Sequence, residues 1–195
     1  ENISGKIKGS DKLGKVELAS QDVHVKAPQL FTKPVLFNQV QGLLAWQQAE
    51  EQWVLSSQSV QINSPAFHSE SRLLVNIPKA EEKPFIDLQA SFESDDLSQV
   101  ASYLPTQIMK EKLKIWLSNA FVAGQATKGD LLFYGKLNDF PFADGSGVFE
   151  AKLDIDKAEI KFHPEWQHIS GINGELSFAQ NNISGSFNQG QIGKV

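Results

Sequence analysis

Between Ile86 and Glu93 apolar and polar residues alternate without a break. Ile86, Leu88, Ala90 and Phe92 fall on one side, and Asp87, Gln89, Ser91 and Glu93 on the other. A helix would scatter these side chains around its axis. An extended strand, whose successive side chains point to opposite faces, separates them. The same period returns at Val16/Leu18, Val23/Val25, Val40 through Trp46, Trp53 to Leu55, Val60/Ile62, Leu73/Val75/Ile77 and Leu131/Phe133/Gly135/Leu137. The spacing of these runs and their turns predicts roughly ten to twelve strands. Such a chain makes an apolar face on every strand, and something must lie against it.

Two stretches read as hairpins. From Gly145 to Phe162, a two-residue turn at Asp156-Lys157 would set Ile155 opposite Ala158, Leu153 opposite Ile160 and Ala151 opposite Phe162. From Glu175 to Phe187, a turn at Asn181-Asn182 would set Phe178 opposite Gly185 and Leu176 opposite Phe187. Glycines in Ile169–Gly174 and Ile183–Phe187 are expected in turns or bulges between strands. Pro78 to Pro84 brackets charged residues and reads as a loop joining two strands.

The period changes once. Leu97, Val100, Ala101 and Leu104 have helical spacing, with Asp95 or Asp96 placed to cap them. Pro105 interrupts and suits the first turn of a second helix. There Met109, Leu113, Trp116, Leu117, Ala120 and Phe121 form an apolar stripe, and Gly124 is expected to end it. The expected fold is therefore mainly β, with residues 1–94 and 124–195 in strands and 95–123 a helical insertion. It is an extended, curled, mostly antiparallel sheet. Two short helices cannot cover so many strands, so a second sheet, the same sheet curled over, or a ligand must cover the rest.

Little in the sequence points to chemistry. The net charge of the 195 residues is −5 with no basic stripe, which argues against nucleic acid. There is no Cys, hence no disulfide and no thiol chemistry. No apolar run approaches the roughly 18 residues of a membrane-spanning helix. The chain starts at Glu1 without a signal-like segment and reads as a piece of something longer. His163 and His168 flank Glu165 at a spacing that matches no common zinc motif. Asp95-Asp96 and Glu50-Glu51 are expected at a helix start and in a turn, and Trp116 and Trp166 in buried packing. No phosphate loop, nucleophile elbow or dinucleotide fingerprint occurs. These observations argue against an enzyme and imply no cofactor and no metal.

From Ser91 to Phe178 the order of features resembles the YhdP family, of the AsmA-like group that includes TamB. The matching residues are Tyr103-Leu104-Pro105, Trp116-Leu117, Gly124, Gly135-x-Leu137, Asp139-Phe140-Pro141-Phe142, Gly147-x-Phe149, Trp166 and Gly174-x-Leu176-x-Phe178. One departure is Gln167 after Trp166, where the family usually has Pro; here Pro164 precedes instead. The resemblance implies a long periplasmic protein anchored in the inner membrane of a Gram-negative bacterium. Its curled sheet would form a taco-like apolar groove that moves phospholipid between inner and outer membranes. The groove candidates are Ile86, Leu88, Phe92, Phe149, Leu153, Ile155, Ile160, Phe162, Leu176 and Phe178. Met109, Leu113, Trp116 and Phe121 would pack as core or serve as a gate or cap. The expected partners are phospholipid acyl chains, neighbouring segments of the parent chain, and a second copy through open sheet edges. The competing expectation is a structural or interaction module, like an assembly factor resembling TamB, that works through its strand edges.

Overall fold

A computed structural model describes residues 2–80, 82–107, 109, 111–163, 165–180 and 182–193. The strands are β1 (Gly5–Gly9), β2 (Leu13–Val25), β3 (Val35–Gln48), β4 (Gln52–Asn63), β5 (His68–Pro78), β6 (Phe85–Ser94), β7 (Phe121–Lys136), β8 (Val148–Ile160), β9 (Ile169–Ala179) and β10 (Asn182–Ile192). They pair antiparallel in chain order as one ten-stranded sheet. β1 does not meet β10, so the sheet stays open and curls into a trough. Nine spacings of about 4.8 Å make that trough roughly 43 Å long across the strands.

Between β6 and β7 lie α1 (Leu97–Val100), a 3-10 turn (Ala101–Tyr103) and α2 (Glu111–Ala120). Asp96 caps α1, its carboxylate accepting from the Ser98 backbone N–H at 3.0 Å and from the Gln99 side-chain amide at 2.7 Å. The mainly-β fold with one helical insertion is as expected, and the Pro78–Pro84 loop does join two paired strands.

Register explains why one face is apolar. Leu18, Gly42, Val60, Ser71, Ala90, Leu131, Ala151, Phe178 and Ile183 lie side by side across β2 to β10. One residue away on the opposite face runs the row Ala19, Gln41, Gln61, Glu70, Ser91, Asp130, Lys152, Ser177 and Ser184. The first row carries no charge; the second is polar from β3 onward.

Three expectations are corrected. The hairpin expected between Gly145 and Phe162 does not exist, because β8 runs unbroken through Asp156-Lys157. Lys157 adopts φ +48° and donates its backbone N–H to Asn173 Oδ1 at 2.7 Å, forming a bulge instead of a turn. Ile155 pairs with Gly174 and Ala158 with Ile172, both on β9. A bulge and a two-residue turn both return Ala158 and Ile160 to the face of Leu153, so the side-chain pattern could not tell them apart.

In the last hairpin Ala179 pairs with Asn182. Phe178 therefore faces Ile183 and Leu176 faces Gly185, two residues from the expected register but on the same faces. Gln180 takes the positive φ of +54°; Asn181 lies outside the described residues. Gly124 does not end α2, which stops at Ala120. It lies inside β7 at φ +108°, where a Cβ would come within 2.4 Å of the Ala158 Cα. The glycines of 169–174 and 183–187 lie within β9 and β10, and Gly171, at φ +65°, falls in a bulge of β9, one of the two places expected for these glycines.

Candidate functional site

The apolar face divides into a covered part and an open part. Over β7 to β9 the insertion packs on it. Leu97 joins Ala126, Leu153, Ile155, Ala158, Ile160, Ile172 and Leu176 in one buried cluster, with Phe92, Val100, Phe121, Phe162, Ile169 and Phe178 against it. Trp116 stands over this cluster, its ring 5.7 Å from that of Phe178 and 5.9 Å from that of Phe121. Its indole N–H donates to the Phe162 carbonyl at 3.2 Å. The hydrogen bond satisfies the polar edge of a half-buried ring and fixes α2 across β8 and β9.

The insertion also reaches the other half of the sheet. Tyr103 packs edge-on against Phe67 at 5.1 Å and tilted against Phe37 at 5.8 Å. Beyond it the Gln107 backbone N–H donates to Leu30 O at 3.1 Å, and the Gln107 amide donates to Thr32 Oγ1 at 3.0 Å. One helical segment thus touches β3 on one side and β9 on the other.

At the opposite rim, the loop between β7 and β8 folds back over the same face. Phe140 stacks on Phe133 at 5.8 Å and meets Phe149 edge-on at 5.1 Å, while Phe142 meets Phe133 at 5.2 Å. Phe142 is fully buried over Gly135 and Gly147, where a Cβ on either glycine would strike its ring. The Phe140–Pro141 peptide is cis.

Over β2 to β6 the cover is confined to the end where Tyr103 packs on Phe37 and Phe67. Val16, Leu18, Leu44, Trp46, Val60, Ile62, Leu73, Val75, Ile86 and Leu88 are only partly buried, and Leu55 is 38% exposed. Charges point away from this surface. Arg72 grips Asp87 through both carboxylate oxygens at 3.1 Å on the outer face.

The candidate residues separate accordingly. Ile86, Leu88, Phe92, Phe149, Phe162 and Phe178 are partly accessible, whereas Leu153, Ile155, Ile160 and Leu176 are buried beneath the helices. Met109, Leu113, Trp116 and Phe121 are half-buried in or beside the insertion. The open wall on β2 to β5 escaped the sequence reading. Its signal was the three-residue step from Ser57 to Val60, which looks like a lost alternation but is a bulge.

Among the described residues the titratable groups serve structural contacts. His168 pairs with Glu159, Asp96 caps a helix, and no metal-binding cluster occurs among the described residues. Hydrogen bonds from the Ser98 hydroxyl and the Gln99 amide hold the Asp96 carboxyl below its usual value. Trp166 departs from the expected burial: it is 65% exposed, with His163 beside it at 5.8 Å.

The family described as YhdP protein matches this chain over residues 1–195. The chain belongs to the YhdP family. A protein of Escherichia coli (strain K12) named intermembrane phospholipid transporter YhdP is 24% identical over 183 residues. The alignment covers 94% of this chain and 14% of that YhdP protein. No solved structure matches. Among the described residues no helix is long and apolar enough to cross a membrane.

Proposed function

We propose that this chain holds the acyl tails of phospholipids in transit between the two membranes of a Gram-negative envelope, as a periplasmic part of a protein anchored in the inner membrane. One observation carries the reading: away from the end where Tyr103 packs on Phe37 and Phe67, β2 to β6 present a wall of uncharged, partly exposed side chains, among them Leu44, Trp46, Leu73, Val75, Ile86 and Leu88. A phospholipid outside a bilayer exposes two tails at about 0.8 kcal/mol per methylene, well over 10 kcal/mol in all. Only a continuous apolar surface offsets that. A sheet provides one without orphaned backbone groups, because its N–H and C=O groups bond in the sheet plane. The relative's name, a phospholipid transporter, agrees with this surface. The proposal asks no bond-making of the chain.

A second reading rests on β10, which is exposed along its whole length and has no charged residue to guard its edge. That edge suits a strand from a neighbouring segment or another copy. The two readings separate on contact with lipid. A photo-crosslinking side chain at Leu88 should capture phospholipid from labelled vesicles, and one at the outward Gln89 should not. Equal capture at both positions removes the transport reading and leaves the edge reading.

A further inference from the structure

Resting on the reading of the open face as a lipid path, we propose that β7 and β8 form its constriction, and that tails cross it along the single row Ala90–Leu131–Ala151. Elsewhere the trough is open over several successive rows of side chains. At β7 and β8 it is crossed from both rims. From one rim, Leu97 and Trp116 cover the rows of Ile160, Ala158, Ile155 and Leu153, with Trp116 packed between Phe121 of β7 and Phe178 of β9. From the other, Phe140 and Phe142 cover Phe133 and Phe149.

One row remains between these covers. Ala90 pairs with Leu131 and Leu131 with Ala151, and all three are half-buried. Its neighbours on β7 and β8, two residues away along the strand, are about 6.7 Å off in each direction. The space is therefore about one side chain wide. Small residues at Ala90 and Ala151 leave it clear, and a larger side chain at either position would fill it. On β9 the row continues into Phe178, where the Trp116 ring packs against it at 5.7 Å and narrows it further, and then into Ile183, 43% exposed, so a tail that passes the Trp116–Phe178 edge re-emerges on apolar surface at β10. Ala90 and Ala151 are thus size-determining positions in the path.

The test uses the full-length protein with phosphatidylethanolamine vesicles and photo-crosslinkers at Leu73 and at Ile183, one on each side of the row. The series Ala151→Val, Ala151→Leu and Ala151→Phe narrows it in steps, and Ala90→Phe repeats the block from the next strand. Capture should persist at one position and fall progressively at the other, by about tenfold or more for the phenylalanines. The retained side identifies the direction of entry. Capture unchanged at both positions, or lost equally at both while Ala151→Val still unfolds as the parent does, overturns the constriction. Absence of capture at Leu73 and Ile183 in the unsubstituted protein overturns the lipid path itself, which keeps the two failures distinct.

Discussion

Placing one carboxylate on the open wall gives the most direct test of the transport reading. Leu73 sits near its middle, in register with Ser57 on β4 and Leu88 on β6, and is half-buried. Leu73→Asp leaves the charge wetted by the open trough, so its cost to folding is that of losing a partly buried leucine, about 1–2 kcal/mol. A passing tail meets a larger penalty. Over one strand spacing of about 4.8 Å it must give up apolar contact or strip water from the carboxylate. If about three methylenes on each of two tails lose contact, the loss is roughly 5 kcal/mol at about 0.8 kcal/mol each. Since only one wall is altered, about half of that applies, which slows passage roughly 70-fold. The assay follows pulse-labelled phospholipid into the outer membrane in cells whose own copy carries the substitution. Gln89→Asp, on the outer face of β6, is the matched control. Equal transfer in the two variants, both folded, would refute the argument.

Other perturbations probe the fold and its cap. Leu176→Ala empties a fully buried position beneath the helices and should lower stability by about 2–5 kcal/mol in urea unfolding, where a loss under about 1 kcal/mol would mean the insertion is not packed there. Lys157→Gly should raise the melting temperature and Lys157→Val lower it, because φ +48° suits glycine and opposes a β-branched side chain. The same order at a flat strand position would be reversed, so the pair reports on the bulge. For Asp96 the depressed carboxyl means that its contribution is present above the unfolded pKa and is lost as pH falls through the lower folded one. A carboxyl titration by NMR should show it below the ordinary aspartate range, and Ser98→Ala should move it back upward. No movement on removing that hydroxyl would discard the assigned cause.

Strand content was legible because alternation of the kind seen at Ile86–Glu93 has one physical source. The helical insertion was legible because Leu97 and Val100, and then the Trp116 stripe, break that period. Chain direction was harder to read. A turn at Asp156-Lys157 and a bulge there return the same side chains to the same face, and only pairing with β9 decides between them. Gly124 followed the helix stripe closely enough to look like its end, although its conformation is set by the approach of Ala158 from the neighbouring strand. Trp166 shows a different limit, since a large aromatic between two strands carries no local mark of being exposed. Accessibility of the groove candidates was equally invisible. Leu88 and Leu153 have the same strand pattern, but the helices lie over one of them.

The steps of three do more than complicate the reading. Without the extra residue, the face of Ile155 would continue through Lys157 and Glu159 in β8, and that of Ile169 through Gly171, Asn173 and Glu175 in β9. In β7 the face of Ala126 would take in Lys128 and Asp130, and in β4 that of Ser57 would take in Ser59, Gln61 and Asn63. Each bulge moves the alternation by one residue and returns the apolar set to the inside. The same insertions bend and twist the strands, which a flat sheet would not do. An uncharged inner wall and a curled shape therefore have one cause in this chain. The covers at β7 and β8 then decide where along that wall a tail has room.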